Sequence, residues 1–141
     1  MTVGVNWRLA PPEVSYVLND SESEVLFVGA DFYPVIDQIL EDLPKIKKVV
    51  AIDGDHENYQ DYISWRNSQN SANPEIKSSP NDDILQLYTS GTTGHPKGVQ
   101  LTNENFAAAN ESIDGIVPFE EGSTNLVCMP GYHAVSYTHL R

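Results

Sequence analysis

Apolar residues recur along this chain in two patterns, short continuous runs and helically spaced stripes. Val25 to Val28 is a continuous run with β-branched ends, which reads as a strand buried on both faces. Val49 to Ile52 is a second such run, closed by Asp53-Gly54. Between them Val35, Ile36, Ile39, Leu40 and Leu43 return at the spacing of one helix face. Asp31 is placed to cap that helix, and Leu43 precedes Pro44, where helical winding should stop. Strand, helix and strand make a βαβ unit, expected to cross over right-handed. Upstream, Pro11-Pro12-Glu13 suits a first helical turn, Val14, Val17 and Leu18 form one apolar face, and Asn19-Asp20-Ser21 ends the helix. Downstream, Tyr59, Tyr62, Ile63 and Trp65 mark a short helix whose aromatics favour packing over ligand stacking.

At Arg66 the pattern breaks. Residues 66–83 are rich in Asn, Ser and Pro and poor in large apolar side chains, as expected of a mobile surface connector. Two strand-like runs follow, Ile84 to Tyr88 and Val99 to Leu101, with a small, polar loop between them. Thr102 or Asn103 can cap the next helix, with Phe106, Ala109 and Ile113 on its buried side and Gly115 and Pro118 bracketing its end. Leu126 to Met129 reads as a last strand, with Cys128 a small core residue in it. The length of 141 residues suits one α/β domain.

The loop carries the chemistry. It reads Tyr88-Thr89-Ser90-Gly91-Thr92-Thr93-Gly94-His95-Pro96-Lys97-Gly98-Val99. Glycines let backbone N–H groups face an anion, Ser90, Thr92 and Thr93 add hydroxyl donors, and Lys97 adds a mobile cation. Together these suit a polyphosphate. The nucleotide loop G-x-x-x-x-G-K-[ST] does not fit, because its second glycine would fall on Pro96 and Lys97 leads into a strand. Nor is Ser90 on a nucleophile elbow, since Tyr88 and Thr92 occupy the two glycine positions. An ordinary polar turn is the plain alternative; the lysine, the proline and both flanking strands weigh against it.

Charge narrows the partners. Twenty acidic and eight basic residues give a net charge of −12 and a pI near 4.4, which disfavours nucleic acid and anionic membrane surfaces. A polyphosphate must therefore be held by local groups. Lys97 is the only Lys or Arg between Lys77 and Arg141, so Mg²⁺ is expected to share the neutralisation. Lys45, Lys47 and Lys48 read as a solvated helix end. Gly29-Ala30-Asp31-Phe32 lacks the glycines of a dinucleotide turn. Asp53-Gly54-Asp55-His56-Glu57 fails the calcium-loop pattern at Asn58 and Ser64, leaving an acidic, solvated turn. The histidines and Cys128 show no metal spacing. A single cysteine excludes an internal disulfide and fits a reducing, cytoplasmic setting, and no apolar run approaches a membrane span.

Tyr88 to Val99 is similar, without a break, to the signature phosphate loop of the AMP-forming adenylating superfamily, which holds acyl-CoA synthetases, amino-acid adenylation domains and luciferases. His95 falls in a slot that the family varies. Val5-Asn6-Trp7-Arg8-Leu9 resembles the V-N-x-R-L stretch of the acyl-CoA synthetases; read from the residues alone, Trp7 and Arg8 would pack and pair at a domain edge. Pro130-Gly131-Tyr132-His133 resembles the family's proline-x-aromatic-histidine motif, although Gly131 replaces a bulky apolar residue, and a histidine in an ordinary turn remains the alternative. Asn103 stands where the family often has histidine. The resemblance runs from Val5 to Ala134; Met1 reads as an internal methionine or a misplaced start, and residues 135–141 as a foreign or truncated end.

The resemblance implies a fold and a reaction. The fold is part of the large N-terminal domain of an adenylate-forming enzyme, a βαβ unit plus a phosphate-loop hairpin. The reaction joins a carboxylic acid to ATP, giving acyl-AMP and pyrophosphate, after which the thiol of CoA displaces AMP. Thr89, Ser90, Gly91, Thr92, Thr93, Gly94 and Lys97 would hold the β- and γ-phosphates, and His133 would border the acyl pocket. The V-N-W-R-L opening leans toward a fatty or aromatic acyl-CoA ligase. The adenine pocket and the Mg²⁺-binding glutamate belong to segments not found here, so the chain alone is expected to be inactive. The alternatives are a non-catalytic, weak phosphate-binding module and a structural domain that keeps the loop as a relic.

Overall fold

The computed structural model describes residues 1–89, 94–114, 116, 121, 122, 124, 126 and 130–132. In chain order the elements are β1 (Thr2–Val3), α1 (Pro11–Asp20), β2 (Val25–Val28), α2 (Tyr33–Ile39), β3 (Lys48–Ala51), β4 (Gln60–Asp61), α3 (Tyr62–Asn67), β5 (Asp83–Thr89), β6 (Lys97–Thr102) and α4 (Asn103–Asp114). Two units form, Arg8–Ile76 and Met1–Trp7 with Lys77–Arg141. The break between Ile76 and Lys77 falls inside the expected connector. Every residue from 66 to 83 is exposed, and Ser79–Asp82 is tied to the start of α4: Asn103 Nδ2 donates to the Ser79 carbonyl (2.9 Å) and the Glu104 N–H to the Pro80 carbonyl (3.0 Å). Among the described residues no helix is long and apolar enough to cross a membrane.

The Arg8–Ile76 unit is the βαβ unit extended by one strand. Its sheet has the order β2-β3-β4, all parallel, with Val25 opposite Lys48 and Val28 opposite Ala51. Val49, Val50 and Ala51 are buried, as are Val14, Val17 and Leu18 of α1 and Ile36 and Ile39 of α2. The periodicity of α1 therefore identifies its buried face. Helical winding after α2 continues as a 3₁₀ turn, Leu40–Asp42, and stops before Pro44.

Two expectations need correction here. First, β2 is not buried on both faces. Val25 and Phe27 are each 45% exposed, and within this unit the ring contacts to Phe27 come from the short helix α3. Trp65 and Tyr62 meet the Phe27 ring edge-on at 5.2 and 6.4 Å. The aromatics of α3 thus do pack, but on a partly open sheet face. Second, Asp31 caps nothing. It lies inside a 3₁₀ turn, Ala30–Phe32, and the N–H of Ala30 goes instead to the Asp53 carboxylate (2.8 Å). Lys45 and Lys47 are solvated as expected, and form exposed pairs with Glu22 and with Glu24 (2.5 Å).

The other unit holds the sheet β1-β5-β6, with β1 parallel and β6 antiparallel to the central β5. Leu85 and Leu87 bury one face of β5, and Gln86 is buried on the other. The helix α4 starts with reciprocal caps, Asn105 N–H to Thr102 Oγ1 (3.2 Å) and Thr102 N–H to Asn105 Oδ1 (3.0 Å). Phe106, Ala109 and Ile113 lie on its half-buried side. Gly115, Pro118, Cys128 and residues 135–141 lie outside the described residues.

Candidate phosphate-binding site

The site is built on the β5–β6 hairpin. Alternating apolar residues commit Leu85 and Leu87 to the core, and that fixes the register with β6. Leu87 pairs with Val99, Tyr88 with Gly98, and Thr89 with Lys97. The hairpin therefore places the first hydroxyl of the loop sequence directly across from its lysine. The Thr89 hydroxyl points at the Lys97 carbonyl, 3.5 Å away. Both residues are exposed, so the Lys97 ammonium and the Thr89 hydroxyl can reach a ligand without disturbing the core. Lys97 has no carboxylate partner among the described residues.

Gly94 has φ +140°, a conformation that L side chains rarely adopt, and a Cβ added there would meet nothing within 4 Å. Conformation, not space, is what calls for glycine at Gly94. Pro96 precedes Lys97 and cannot donate to the ladder, so strand pairing begins at Lys97. Ser90, Gly91, Thr92 and Thr93, named as phosphate ligands on sequence grounds, lie outside the described residues, as does His133. Of the predicted site the structure brings Thr89 and Lys97 together and sets Gly94 in the same loop.

One juxtaposition is not legible in the chain. β1 lies beside β5, and Gly4, which follows it, abuts the turn that precedes His133: a Cβ on Gly4 would stand 3.0 Å from Tyr132 Cα and 3.2 Å from the Gly131 carbonyl oxygen. Gly4 and the proline-x-aromatic turn, far apart in sequence, are thus neighbours within one unit. Trp7 is 57% exposed, more open than the expected packing role implies.

A family model described as AMP-binding enzyme matches residues 1–140. The chain belongs to the AMP-binding enzyme family. Its similarity to the fatty acid–[acyl-carrier-protein] ligase ScoC of Streptomyces coeruleorubidus is 36% identity over 137 residues, covering 93% of this chain and 25% of that protein. It is 34% identical over 139 residues to the long-chain-fatty-acid–CoA ligase FadD13 of Mycobacterium tuberculosis, covering 98% of this chain and 27% of that one. The inhibitor-bound crystal structure of the N-terminal domain of FACL13 from Mycobacterium tuberculosis matches with a TM-score of 0.81 at 33% identity, over 96% of this chain and 33% of that one. The chain spans about a quarter of the length of these curated relatives.

Among the described residues there is no group of three or more His, Cys, Asp or Glu side chains that could hold a metal ion. The Arg8–Ile76 unit does contain a polar cluster where the sequence predicts a solvated acidic turn. The Tyr59 hydroxyl donates to Asp37 Oδ1, His56 Nε2 lies 3.2 Å from Asp37 Oδ2, and the His56 and Tyr59 rings stack with centroids 3.7 Å apart. Tyr33 meets both rings edge-on and its hydroxyl donates to the Asp53 carbonyl. The Tyr59 hydrogen bond holds Asp37 below the usual carboxylate range, opposed by partial burial and helped by His56. Burial, then Asp37, pushes the Tyr59 phenol well above its ordinary value. This cluster ties the turn after β3 to α2, and nothing about it calls for a ligand.

Proposed function

We propose that the chain is part of an ATP-dependent, AMP-forming acid–thiol ligase acting on a fatty or aromatic carboxylic acid, with CoA as the thiol. The observation that carries this reading is the register of the hairpin, which sets Thr89 across from Lys97 at the mouth of a glycine- and hydroxyl-rich loop. Backbone N–H groups, hydroxyls and one ammonium converging on a polyphosphate supply charge stabilisation and placement, which is what nucleotidyl transfer asks of a protein. In the first step a carboxylate oxygen attacks the α-phosphorus of ATP and pyrophosphate leaves. In the second, the CoA thiol loses its proton, the sulfur attacks the acyl carbon and AMP leaves. Thr89, Ser90, Gly91, Thr92, Thr93, Gly94 and Lys97 hold the β- and γ-phosphates as pyrophosphate departs, and His133 borders the acyl group. The names of the relatives, a fatty acid–[acyl-carrier-protein] ligase and a long-chain-fatty-acid–CoA ligase, support the acid class.

The test is ATP–pyrophosphate exchange by the longer protein containing this chain, with a panel of fatty and aromatic acids, followed by AMP release on adding CoA. Acid-dependent exchange and CoA-dependent release are expected. A cooperatively folded protein that shows neither would overturn the proposal. Because the chain spans about a quarter of its relatives, residues 1–141 alone are expected to bind polyphosphate weakly without exchange.

A further inference from the structure

Gln86 occupies an unusual place for an amide. It is 4% exposed in the central strand β5, between Val3 of β1 and Gln100 of β6, and flanked in sequence by the buried Leu85 and Leu87. Its Nε2 donates to the Tyr88 hydroxyl at 2.9 Å, while its buried Oε1 has no hydrogen-bond partner among the described residues. A buried acceptor left unmet costs stability, so burial alone does not account for an amide here. The two side chains share one face of the strand, being two residues apart. Across from Tyr88 stands Gly98. A Cβ on Gly98 would come within 2.1 Å of Gln86 Nε2, 3.0 Å of Gln86 Cδ and 3.0 Å of Tyr88 Cζ. The amide and the ring therefore lie against the bare Cα of Gly98, one step along the ladder from the Thr89–Lys97 pair.

We infer that Gln86 is a positioning residue for the phosphate loop: its amide, bonded to the Tyr88 hydroxyl and laid across Gly98, sets how β5 and β6 meet just before Thr89 and Lys97. The inference rests on the phosphate reading of the loop. A residue that breaks a local stability rule beside a functional loop is the pattern expected where placement outweighs stability. It makes a prediction that a purely structural role does not. Gln86→Met keeps the length and shape of the side chain and removes both polar ends, so the fold should be no less stable while phosphate binding suffers.

The experiment titrates residues 1–141 with inorganic tripolyphosphate and follows thermal melting of the same samples, for the unmodified chain, Gln86→Met, Tyr88→Phe, the double variant and Lys97→Ala. Gln86→Met is expected to melt at or above the unmodified chain and to bind about fivefold more weakly, the scale of one lost neutral hydrogen bond. The double variant should bind no more weakly than the worse single, because Gln86 acts through Tyr88. A Gln86→Met chain that melts lower or fails to fold, that binds as tightly as the unmodified chain, or whose loss adds to that of Tyr88→Phe would overturn the inference and leave the phosphate reading standing, provided Lys97→Ala weakens binding. No binding by the unmodified chain, or none lost in Lys97→Ala, would remove the phosphate reading and the inference together.

Discussion

Replacing Lys97 by alanine removes one ammonium from the mouth of the hairpin and leaves the backbone ladder intact. Lys97 is exposed, begins β6 opposite Thr89 and has no carboxylate partner among the described residues, so its side chain contributes little to the fold. The expected stability change is within about 0.5 kcal/mol, the usual range for a surface substitution. Binding is different. Two unit charges about 4 Å apart interact by roughly 4 kcal/mol near a protein surface before desolvation and ordering are subtracted. The net value of a charge-assisted contact is about 1.5–3 kcal/mol, which corresponds to a loss of roughly 10- to 150-fold in affinity for a polyphosphate. The chain's net charge of −12 repels the ligand elsewhere, which raises the relative weight of this one cation. Calorimetric titration with ATP at two salt concentrations measures it. The gap between the parent chain and Lys97→Ala should narrow at high salt, since the screening length falls from about 10 Å at 0.1 M to about 3 Å at 1 M. Lys45→Ala, which breaks the pair with Glu22 in the other unit, serves as the charge-matched control and should leave affinity near the parent value. Equal losses in the two variants, or a loss that tracks the melting temperature, would refute the phosphate role.

Other expectations concern the frame around the site. Asp37 has a depressed pKa in the fold, so its contribution to stability is present above the ordinary carboxylate value and is lost as pH falls through the lower, folded one. Asp37→Asn should therefore flatten the acid limb of melting temperature against pH below about pH 4. Tyr59 has a raised pKa; its contribution is full below about pH 10 and is lost as pH rises through the folded value, so Tyr59→Phe should blunt the alkaline limb. Val50→Ala, at a position with 0% exposure in β3, should cost about 2 kcal/mol in urea unfolding, while Ile76→Ala, 82% exposed, should cost less than about 0.5 kcal/mol. Thr102→Ala removes one half of the reciprocal cap on α4 and should cost about 1 kcal/mol, with faster amide exchange in the first turn of that helix.

What the sequence determined by itself is what local spacing and local chemistry encode. Val14, Val17 and Leu18 mark the buried face of α1 because a helix repeats every 3.6 residues, whatever it packs on. Leu85 and Leu87 mark a strand for the corresponding reason with period two, and Thr102 caps α4 through atoms three residues away. The candidate phosphate loop is legible because its expected donors are contiguous. What only the tertiary structure decided are pairings between residues distant in sequence. The two-residue strands β1 and β4 carry too few side chains for any periodicity and exist only because β5 and β3 offer open edges. The exposure of Val25 and Phe27 in β2 is something that a run of four apolar residues does not reveal. Asp53 displaces Asp31 as the cap because the turn after β3 returns to the start of the 3₁₀ turn at Ala30. The Asp37–His56–Tyr59 cluster joins residues 19 and 22 positions apart, and the amide of Gln86 reads as an ordinary polar residue until the hairpin lays it on Gly98. Periodicity reports which way a side chain faces; the partner it meets there is settled only when separate segments are packed against one another.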